Sequence, residues 1–177
     1  MGPDPRPGEW TRGEYRVSTD RSRIDPAVVH GFLVHTFWGK GLLEEAVRRS
    51  VDHSLPFGLF RGDRLIGFAR VVTDYVNLAY LADVVVLEEF RGRGLGRWLV
   101  ECVLAHPELQ GLRRWLLSTL DAHGLYRQLG FTELARPELL MERPGGGTFA
   151  EIPRAGEVEM GGEAACQMHN LMDPDPE

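Results

Sequence analysis

The residues best suited to chemistry in this sequence form a short loop rich in arginine and glycine. An apolar run from Val84 to Leu87 leads into Arg91–Gly96, which reads RGRGLG, and the amphipathic stretch RWLVECVLAH follows. This order predicts a strand, a glycine loop and the beginning of a helix. Glycines let the backbone approach a ligand closely, and the N–H groups of a first helical turn bind phosphate, which nearby arginines favour. The loop therefore predicts a site for a phosphate-bearing cofactor.

Two other phosphate-binding loops do not fit this spacing. A dinucleotide-binding loop has the pattern G-x-G-x-x-G and an acidic residue about 20 positions further on. Here the glycines are Gly92, Gly94 and Gly96, and Leu112 stands 20 positions after Gly92. A P-loop needs G-x-x-x-x-G-K-[ST], and the sole lysine of the chain is the distant Lys40. The sequence therefore excludes both loops.

Hydrophobic periodicity and helix caps predict the elements that position the loop. Asp25 is the expected N-cap of a helix that begins at Pro26. The run that precedes the loop is apolar on both faces, which is typical of a strand inside a sheet. We expect an α+β (mixed α/β) fold with its strands in a single sheet. In chain order, the predictions are helices at 26–37 and 42–53, strands at 55–60, 65–73 and 80–87, a helix at 94–106, a strand at 115–119, a helix at 124–129 and a strand at 139–142.

Composition restricts the class of protein. The chain has 177 residues, 43% hydrophobic and 26% charged, with a net charge of −6. The acidic balance disfavours nucleic acid as a partner, and no segment approaches the roughly 18 to 20 apolar residues of a membrane helix. We therefore predict a cytoplasmic protein with neither nucleic acid nor membrane as its partner. Cys102 and Cys166 form no CxxC pair, and Cys166 with His169 supplies only two ligands, so no metal is expected.

The two ends differ from the middle. Residues 1–13 carry three prolines and three glycines without apolar periodicity, which predicts a poorly ordered N-terminal arm. Residues 144–177 open with PGGG and close with DPDPE, but they also contain apolar residues, so we expect an extension that is at least partly ordered. The catalytic domain is therefore expected at 14–143. The extension is suited to contact a neighbouring subunit, which leaves a homodimer open.

Two motifs resemble those of the GNAT superfamily of acetyl-CoA-dependent N-acetyltransferases. The family signature (Arg/Gln)-x-x-Gly-x-(Gly/Ala) follows a central strand, and Arg91, Gly94 and Gly96 match it at every specified position. The family also has a short helix with a tyrosine, followed by Leu-Gly-Phe, and residues 125–131 read LYRQLGF. The resemblance implies a central, twisted, mostly antiparallel sheet flanked by helices, with splayed central strands that form a groove for coenzyme A.

The resemblance also implies how acetyl-CoA, the cosubstrate, is held. The amides from Arg91 to Arg97 would bind the pyrophosphate, and the main chain of the preceding strand would pair with the pantetheine arm and bind the oxyanion. Where many family members have asparagine, this chain has Thr119, whose hydroxyl is able to serve instead. The expected cofactor-binding residues are Val84, Val85, Val86, Arg91, Gly92, Arg93, Gly94, Leu95, Gly96, Arg97 and Thr119.

Tyr126 corresponds to the family tyrosine that lies beside the thioester sulfur. There it would protonate the departing thiolate or donate a hydrogen bond to it. Proton transfer from a tyrosine with a pKa near 10 to a thiolate near 8.5 is uphill by ~1.5 units, roughly 2 kcal/mol, so hydrogen bonding suffices. The alternative is a tyrosine that packs under the turn without a catalytic role.

An amine acceptor must lose a proton before it attacks, so a base is needed. Asp83 is the foremost candidate, because it is the one charged residue of its predicted strand and an unpaired carboxylate is expensive to bury. The equal alternative is a structural carboxylate paired with Arg70 or Arg114. Asp121 and His123, which follow the next strand, are the other candidates.

These features predict an N-acetyltransferase that moves an acetyl group from acetyl-CoA to a primary amine of a small molecule or peptide, by direct transfer in a ternary complex. One alternative is an acyl-CoA-binding or regulatory module without turnover, and another is transfer of a longer acyl chain or transfer to a hydroxyl. The acceptor is not readable from the motifs. Residues 32–42 and 73–79 are expected to shape its site, and the aromatic candidates are Trp38, Phe57, Tyr75 and Trp115.

Overall fold

The computed structural model of the chain describes residues 7–143. The predicted extension at 144–177, with Cys166 and His169, lies outside the described residues. None of the helices within 7–143 is long and apolar enough to cross a membrane. The strands are β1 (Glu9–Arg12), β2 (Tyr15–Ser18), β3 (Leu55–Arg61), β4 (Arg64–Thr73), β5 (Leu78–Val86) and β6 (Arg114–Leu117), and the helices are α1 (Pro26–Leu33), α2 (Glu44–Asp52), α3 (Leu95–Leu104) and α4 (His123–Gln128).

The six strands form one mixed sheet in the order β1-β2-β3-β4-β5-β6. Strands β1 to β5 are antiparallel neighbours, and β6 is parallel to β5. The parallel pair is connected through α3, because parallel neighbours need a crossover rather than a tight turn. The expected mixed fold with a mostly antiparallel sheet is confirmed.

Helices cover both faces of the sheet. On one face, Val71, Ala79 and Leu81 of β4 and β5 pack in a core that includes Leu99 of α3 and Tyr126 of α4. We call this the α3 face. Because side chains alternate along a strand, every second residue of β4 and β5 belongs to the opposite face.

On that opposite face, Phe68 of β4 and Val85 of β5 pack against Val29 and Leu33 of α1 and Val47 of α2. The cover is partial, because Val72 at the far end of β4 is 43% exposed. Helices α1 and α2 therefore shield only the half of this face that lies nearest to Val85.

Several local predictions hold. The Asp25 side chain accepts a hydrogen bond of 2.9 Å from the Ala27 amide, and Pro26 is the first residue of α1. The helix ends at Leu33 rather than near Phe37, because Thr36 begins a 3-10 turn and its hydroxyl accepts the Gly39 amide. The predicted hairpin is β3 and β4, with Gly62 at φ 60° in its turn.

The first two strands were not expected. Residues 9–12, which the composition assigns to a poorly ordered arm, form β1, so that part of the prediction is wrong. The reason is tertiary: the Trp10 ring lies 6.2 Å from the Phe57 ring and 6.0 Å from the His106 ring. A four-residue strand has too little periodicity to be recognised without these contacts.

The predicted last strand at 139–142 is also wrong. A 3-10 turn at Pro137–Leu139 is followed by chain that pairs with no other strand of the described residues, and Met141 is 96% exposed. The apolar run has strand-like composition, but β propensity depends on the packing and pairing available to the segment.

The buried His106 makes the stability of the fold sensitive to acid. Its Nδ1 accepts the Glu108 amide, so the proton of the neutral ring is on Nε2, which is buried without a hydrogen-bond partner in the described part of the chain. Burial lowers the His106 pKa below its ordinary value of 6.5. The unfolded chain therefore binds a proton more readily, and stability that is fully present above about pH 6.5 is lost as pH falls below it.

We expect the free energy of unfolding, measured in urea, to fall between pH 7.5 and 5. The fall should be smaller in His106→Phe. His35→Phe, at an exposed position, should retain the full dependence on pH. An identical pH dependence in the wild type and His106→Phe would contradict the role of His106.

Candidate active site

The groove of the candidate site begins where β5 and β6 separate. They pair over four residues each, from Leu78 with Arg114 to Leu81 with Leu117. Strand β5 then continues to Val86 without β6 beside it. The Leu87 amide donates to Ile66 of β4, and because amides alternate along a strand, those of Val84 and Val86 point to the groove.

A β-bulge lies at the beginning of this unpaired part of β5. Arg70 of β4 is opposite Ala82 and Phe68 is opposite Val85, so Asp83 and Val84 together face one residue of β4. Asp83 has a φ of 53°, in the left-handed region that side chains seldom adopt. Bulges bend a strand and redirect its groups, so this one turns the end of β5 at the mouth of the groove.

The Asp83 carboxylate is bound by Arg70. The Arg70 Nε to Asp83 Oδ2 distance is 2.5 Å, and 19% and 14% of the two side chains are exposed. The sequence allows two interpretations of Asp83, a catalytic base or a structural carboxylate paired with Arg70 or Arg114. The pair with Arg70 is present. Arg114 is not that partner. The pair holds the bulged residue against β4.

The arginine-glycine loop lies at the far end of the unpaired stretch. Gly92 and Gly94 have φ of 70° and 67°, and Gly94 is the N-cap of α3. The Arg91 Nε donates a 3.0 Å hydrogen bond to the Val86 carbonyl, which fixes the loop on the end of β5. The first amides of α3 therefore point from the helix end toward the groove, the arrangement that binds anions.

The other two arginines of the loop connect it to neighbouring elements. Arg93 donates to the Tyr15 hydroxyl over 3.2 Å. Arg97 binds Glu101 within α3 at 2.9 Å and the Gln128 side chain of α4 at 3.1 Å. Both remain at exposed positions, so their charges add to the positive end of the helix.

Tyr126 lies on the α3 face of the sheet, in α4. It is 8% exposed, and its ring meets the Phe131 ring edge to face at 5.8 Å. The Phe131 amide donates to the Tyr126 carbonyl, so the Leu-Gly-Phe turn folds back on the tyrosine. Burial, with a smaller effect of Asp121, raises the pKa of Tyr126 to about 12. The phenol is therefore protonated at any physiological pH.

The remaining candidates follow β6. The Thr119 hydroxyl accepts the Ala122 amide over 3.1 Å and so shapes the turn into α4. Asp121 is half-buried near Tyr126, and His123 is exposed at the beginning of α4. Cys102 is 3% exposed in the core, and burial raises its thiol pKa to about 12, which makes it an unreactive packing residue.

The aromatic candidates for the acceptor site lie in different environments. Phe57 is fully buried among Trp10 and His106, so its assignment to an acceptor pocket is wrong. Trp38 packs edge to face on Phe37 in the turn after α1, with centroids 4.9 Å apart. Tyr75 is 38% exposed in the turn between β4 and β5.

Trp115 lines a cavity of about 440 Å³ beside β6, together with residues 129–136 and Leu139. Neither the loop Arg91–Gly96 nor Asp83 lines that cavity. We therefore place the candidate site in the groove, where the N-terminus of α3 and the polar groups lie.

One residue pair near the groove is not predicted from the sequence. The Tyr80 hydroxyl donates to the Ser118 hydroxyl over 3.1 Å, just past the last paired residues of β5 and β6. Tyr80 alternates with Ala79 and Leu81, so it belongs to the face opposite α3. The sequence signal was a polar aromatic residue at an alternate position in a strand that otherwise appears apolar.

Comparison with known proteins agrees with this geometry. The sequence profile of the Acetyltransferase (GNAT) family matches residues 26–131, more than half of the chain. The chain belongs to the GNAT family. Acetyl transfer is therefore its general chemistry, and acetyl-CoA is the cosubstrate that this family generally uses.

Relatives of this GNAT protein cover most of its described part. A Gibberella zeae protein classed as an acetyltransferase is 32% identical over 152 residues, 72% of this chain and 85% of that protein. An uncharacterized N-acetyltransferase of Chlorobaculum tepidum is 28% identical over 118 residues, 65% of this chain and 75% of its own. A crystal structure from Xanthomonas campestris pv. campestris, assigned to the GNAT family, is 50% identical with a TM-score of 0.72 and covers 76% of this chain and 95% of that one.

The Arg70–Asp83 pair of this GNAT domain should contribute to stability. Arg70→Met leaves a mostly buried carboxylate unpaired, and we expect the free energy of unfolding in urea to fall by about 3 to 5 kcal/mol. The matched control is Arg64→Met, which breaks an exposed pair with Glu89 of 2.8 Å. That loss should stay below about 1 kcal/mol. Equal losses in the two variants would show that the Asp83 pair has no structural role.

Proposed function

We propose that the chain transfers an acetyl group from acetyl-CoA to a primary amine of a small molecule or peptide, by direct attack in a ternary complex. The observation that carries this proposal is the groove beside β5, which has an anion-binding helix end at one extremity and a buried tyrosine on one side. Membership of the GNAT family and the relative classed as an N-acetyltransferase support transfer to nitrogen.

The loop would hold the pyrophosphate of coenzyme A. Gly92 and Gly94 adopt left-handed backbone angles, so the amides of the loop and of the first turn of α3 can surround phosphate oxygens. The groove-facing amides of Val84 and Val86 and the carbonyl of Val84 would pair with the amide groups of the pantetheine arm. The arm then leads from the loop toward the bulge, where the thioester would lie.

The same strand would stabilise the transition state. When an amine attacks the thioester, negative charge develops on the carbonyl oxygen, and a fixed amide at Val84 or at a neighbouring residue is suited to bind it. The β-bulge turns this part of the backbone, so the donor is in place before the reaction. This positioning is the main contribution of the strand to catalysis.

Tyr126 would act on the leaving group as a hydrogen-bond donor. Because burial raises its pKa to about 12, giving its proton to a thiolate of pKa near 8.5 would be uphill by ~3.5 units, roughly 5 kcal/mol. Donation of a hydrogen bond to the thiolate avoids that penalty. Full proton transfer from Tyr126 is therefore not part of the proposal.

Asp83 is the proposed carboxylate on the acceptor side. Its Oδ2 binds Arg70, so Oδ1 is the oxygen that would accept a proton from the amine. Arg70 fixes the orientation of the carboxylate and thereby the direction from which an amine can approach.

The test is release of free coenzyme A from acetyl-CoA in the presence of a panel of primary amines, with mass detection of the acetylated product. At least one amine should accelerate release over the background hydrolysis. No acceleration by any amine, together with tight acetyl-CoA binding, would favour the binding module instead.

A matched pair of glycine variants tests the loop. Gly92 and Gly62 both have positive φ, and a Cβ at either position would meet no atom within 4 Å. Each change to alanine should therefore cost about 1 to 2 kcal/mol of stability through backbone strain alone. Gly92→Ala should also weaken coenzyme A binding at least about tenfold in calorimetry, whereas Gly62→Ala should leave it unchanged. Unchanged affinity in both variants would remove the loop from the cofactor site.

Tyr126→Phe tests the leaving-group role. Loss of one donor to developing charge lowers kcat by about 10²-fold or more in other enzymes, so we expect a clear fall in kcat with the coenzyme A affinity intact. In the wild type, the rate should show no alkaline decline from Tyr126 below about pH 10, because its pKa is about 12. Full turnover of Tyr126→Phe would exclude the residue from the mechanism.

A further inference from the structure

Among residues 7–143, no helix covers part of the sheet on the side away from α3. Val72 of β4, Tyr80 of β5 and Leu116 of β6 lie across from one another in register, and Leu78, two residues before Tyr80 and opposite Arg114, shares their face. We call these four residues the open face. Val72 and Leu78 are 43% and 39% exposed, and Tyr80 and Leu116 are half-buried. The open face is therefore an accessible and largely apolar surface made of regular strands.

The open face leads directly to the transfer site. Phe68, Arg70 and Val72 occupy every second position of β4, so their side chains lie on the same side of the sheet. Along that side, the surface under α1 and α2 comes first, the Arg70–Asp83 pair comes next, and the open face follows. Tyr126 lies on the other side. A molecule on the open face would therefore approach the thioester from the side opposite to the leaving thiolate.

Tyr80 provides a polar group at the end of the open face nearest to the groove. Its hydroxyl donates to Ser118, which stands beyond the last paired residue of β6, so the phenol leans toward the point where the strands separate. Because the hydroxyl proton is engaged by Ser118, the oxygen presents its lone pairs to any other partner. A phenolic oxygen in this state accepts an N–H group.

Charge at this end of the face is balanced. Arg70 and Asp83 are paired at 2.5 Å and contribute no net charge to the bound molecule. Arg114 is opposite Leu78, at the far end. Asp83 is five positions after Leu78 along β5, or roughly 16 Å of strand. A six-carbon chain anchored at Asp83 would end on apolar side chains before it reached Arg114.

We propose that the acceptor is a primary amine on an apolar alkyl or arylalkyl stem, that its stem lies on the open face, and that Tyr80 and Asp83 receive its N–H groups. The inference rests on the proposed function and adds the class of acceptor to it. A carboxylate on the stem would be placed on Val72 and Leu116 without a cation to pair with, and a polyamine would place a second ammonium there. Both are unfavourable, because a charge removed from water needs a partner.

The first test compares acceptors that differ in one group. With saturating acetyl-CoA, kcat/KM is measured for hexylamine, 2-phenylethylamine, 6-aminohexanoate and spermidine. The two apolar amines should exceed the two charged ones at least about tenfold, in the range that pocket contacts give. A smaller ratio, or a preference for the charged amines, would overturn the inference and leave the proposed function intact. No turnover with any of the four or with the wider amine panel would instead overturn the proposed function itself.

The second test places a charge on the open face. Val72→Asp should lower kcat/KM for hexylamine at least about tenfold, because its stem would lie on a carboxylate. Val28→Asp is the matched control, since Val28 is 39% exposed on α1, in the first turn, where aspartate is tolerated well. It should leave kcat/KM unchanged. Coenzyme A affinity should be unchanged in both variants, and equal effects of the two on hexylamine would overturn the inference.

The third test concerns Tyr80. Tyr80→Phe should raise KM for hexylamine about tenfold and change kcat less, because the phenolic oxygen acts on the amine rather than on the thioester. Ser118→Ala keeps that oxygen and should change KM less than about threefold. An unchanged KM in Tyr80→Phe would remove Tyr80 from the acceptor site.

Discussion

Strand β5 belongs to two pairings of unequal length, and the geometry of the site follows from that difference. It pairs with β4 from Ala79 to Val86, but with β6 only as far as Leu81. The backbone groups beyond Leu81 that point toward β6 therefore lack a strand partner, in a region where unpaired polar groups are expensive unless a ligand or water binds them. The bulge at Asp83, held by Arg70, occurs at this transition and fixes the direction in which the free groups point.

The two sides of the sheet then have different chemistry. On the α3 side, Tyr126 is buried and protonated, so its hydroxyl can donate a hydrogen bond, which suits a departing anion. On the other side, Tyr80 and Asp83 have oxygens that can accept hydrogen bonds from N–H groups. The amine adds to one face of the planar thioester carbonyl, and the thiolate then leaves from the tetrahedral intermediate, so the two groups need partners at different positions around the carbon. Tyr126 lies on one side of the sheet and Tyr80 and Asp83 on the other, an arrangement that agrees with the proposed reaction.

Features that depend on local sequence were predictable, and features that depend on long-range pairing were not. Asp25 capping α1 and the glycine loop before α3 arise from residues a few positions apart. Phe57 is a candidate for the acceptor site from the sequence, but contacts with distant residues, among them Trp10, 47 positions earlier, and His106, place it in the core. The Arg70–Asp83 pair was one of two equal readings, because the register of β4 on β5 decides it and a one-residue shift would place Asp83 elsewhere.

The apolar character of the open face also bears on the proton that the amine must lose. An alkylamine with a pKa near 10.4 is protonated in all but about one molecule in 2,500 at pH 7, which adds roughly 4.6 kcal/mol to the barrier for attack. Asp83 is committed to Arg70, and the pair as a whole is neutral, so it does little to hold the ammonium form. Partial desolvation of the amine at the edge of this apolar face would also favour the neutral form, because burial disfavours the charged form and lowers the pKa of an amine. A surface that selects an apolar stem therefore also assists its deprotonation, and less is required of any single base.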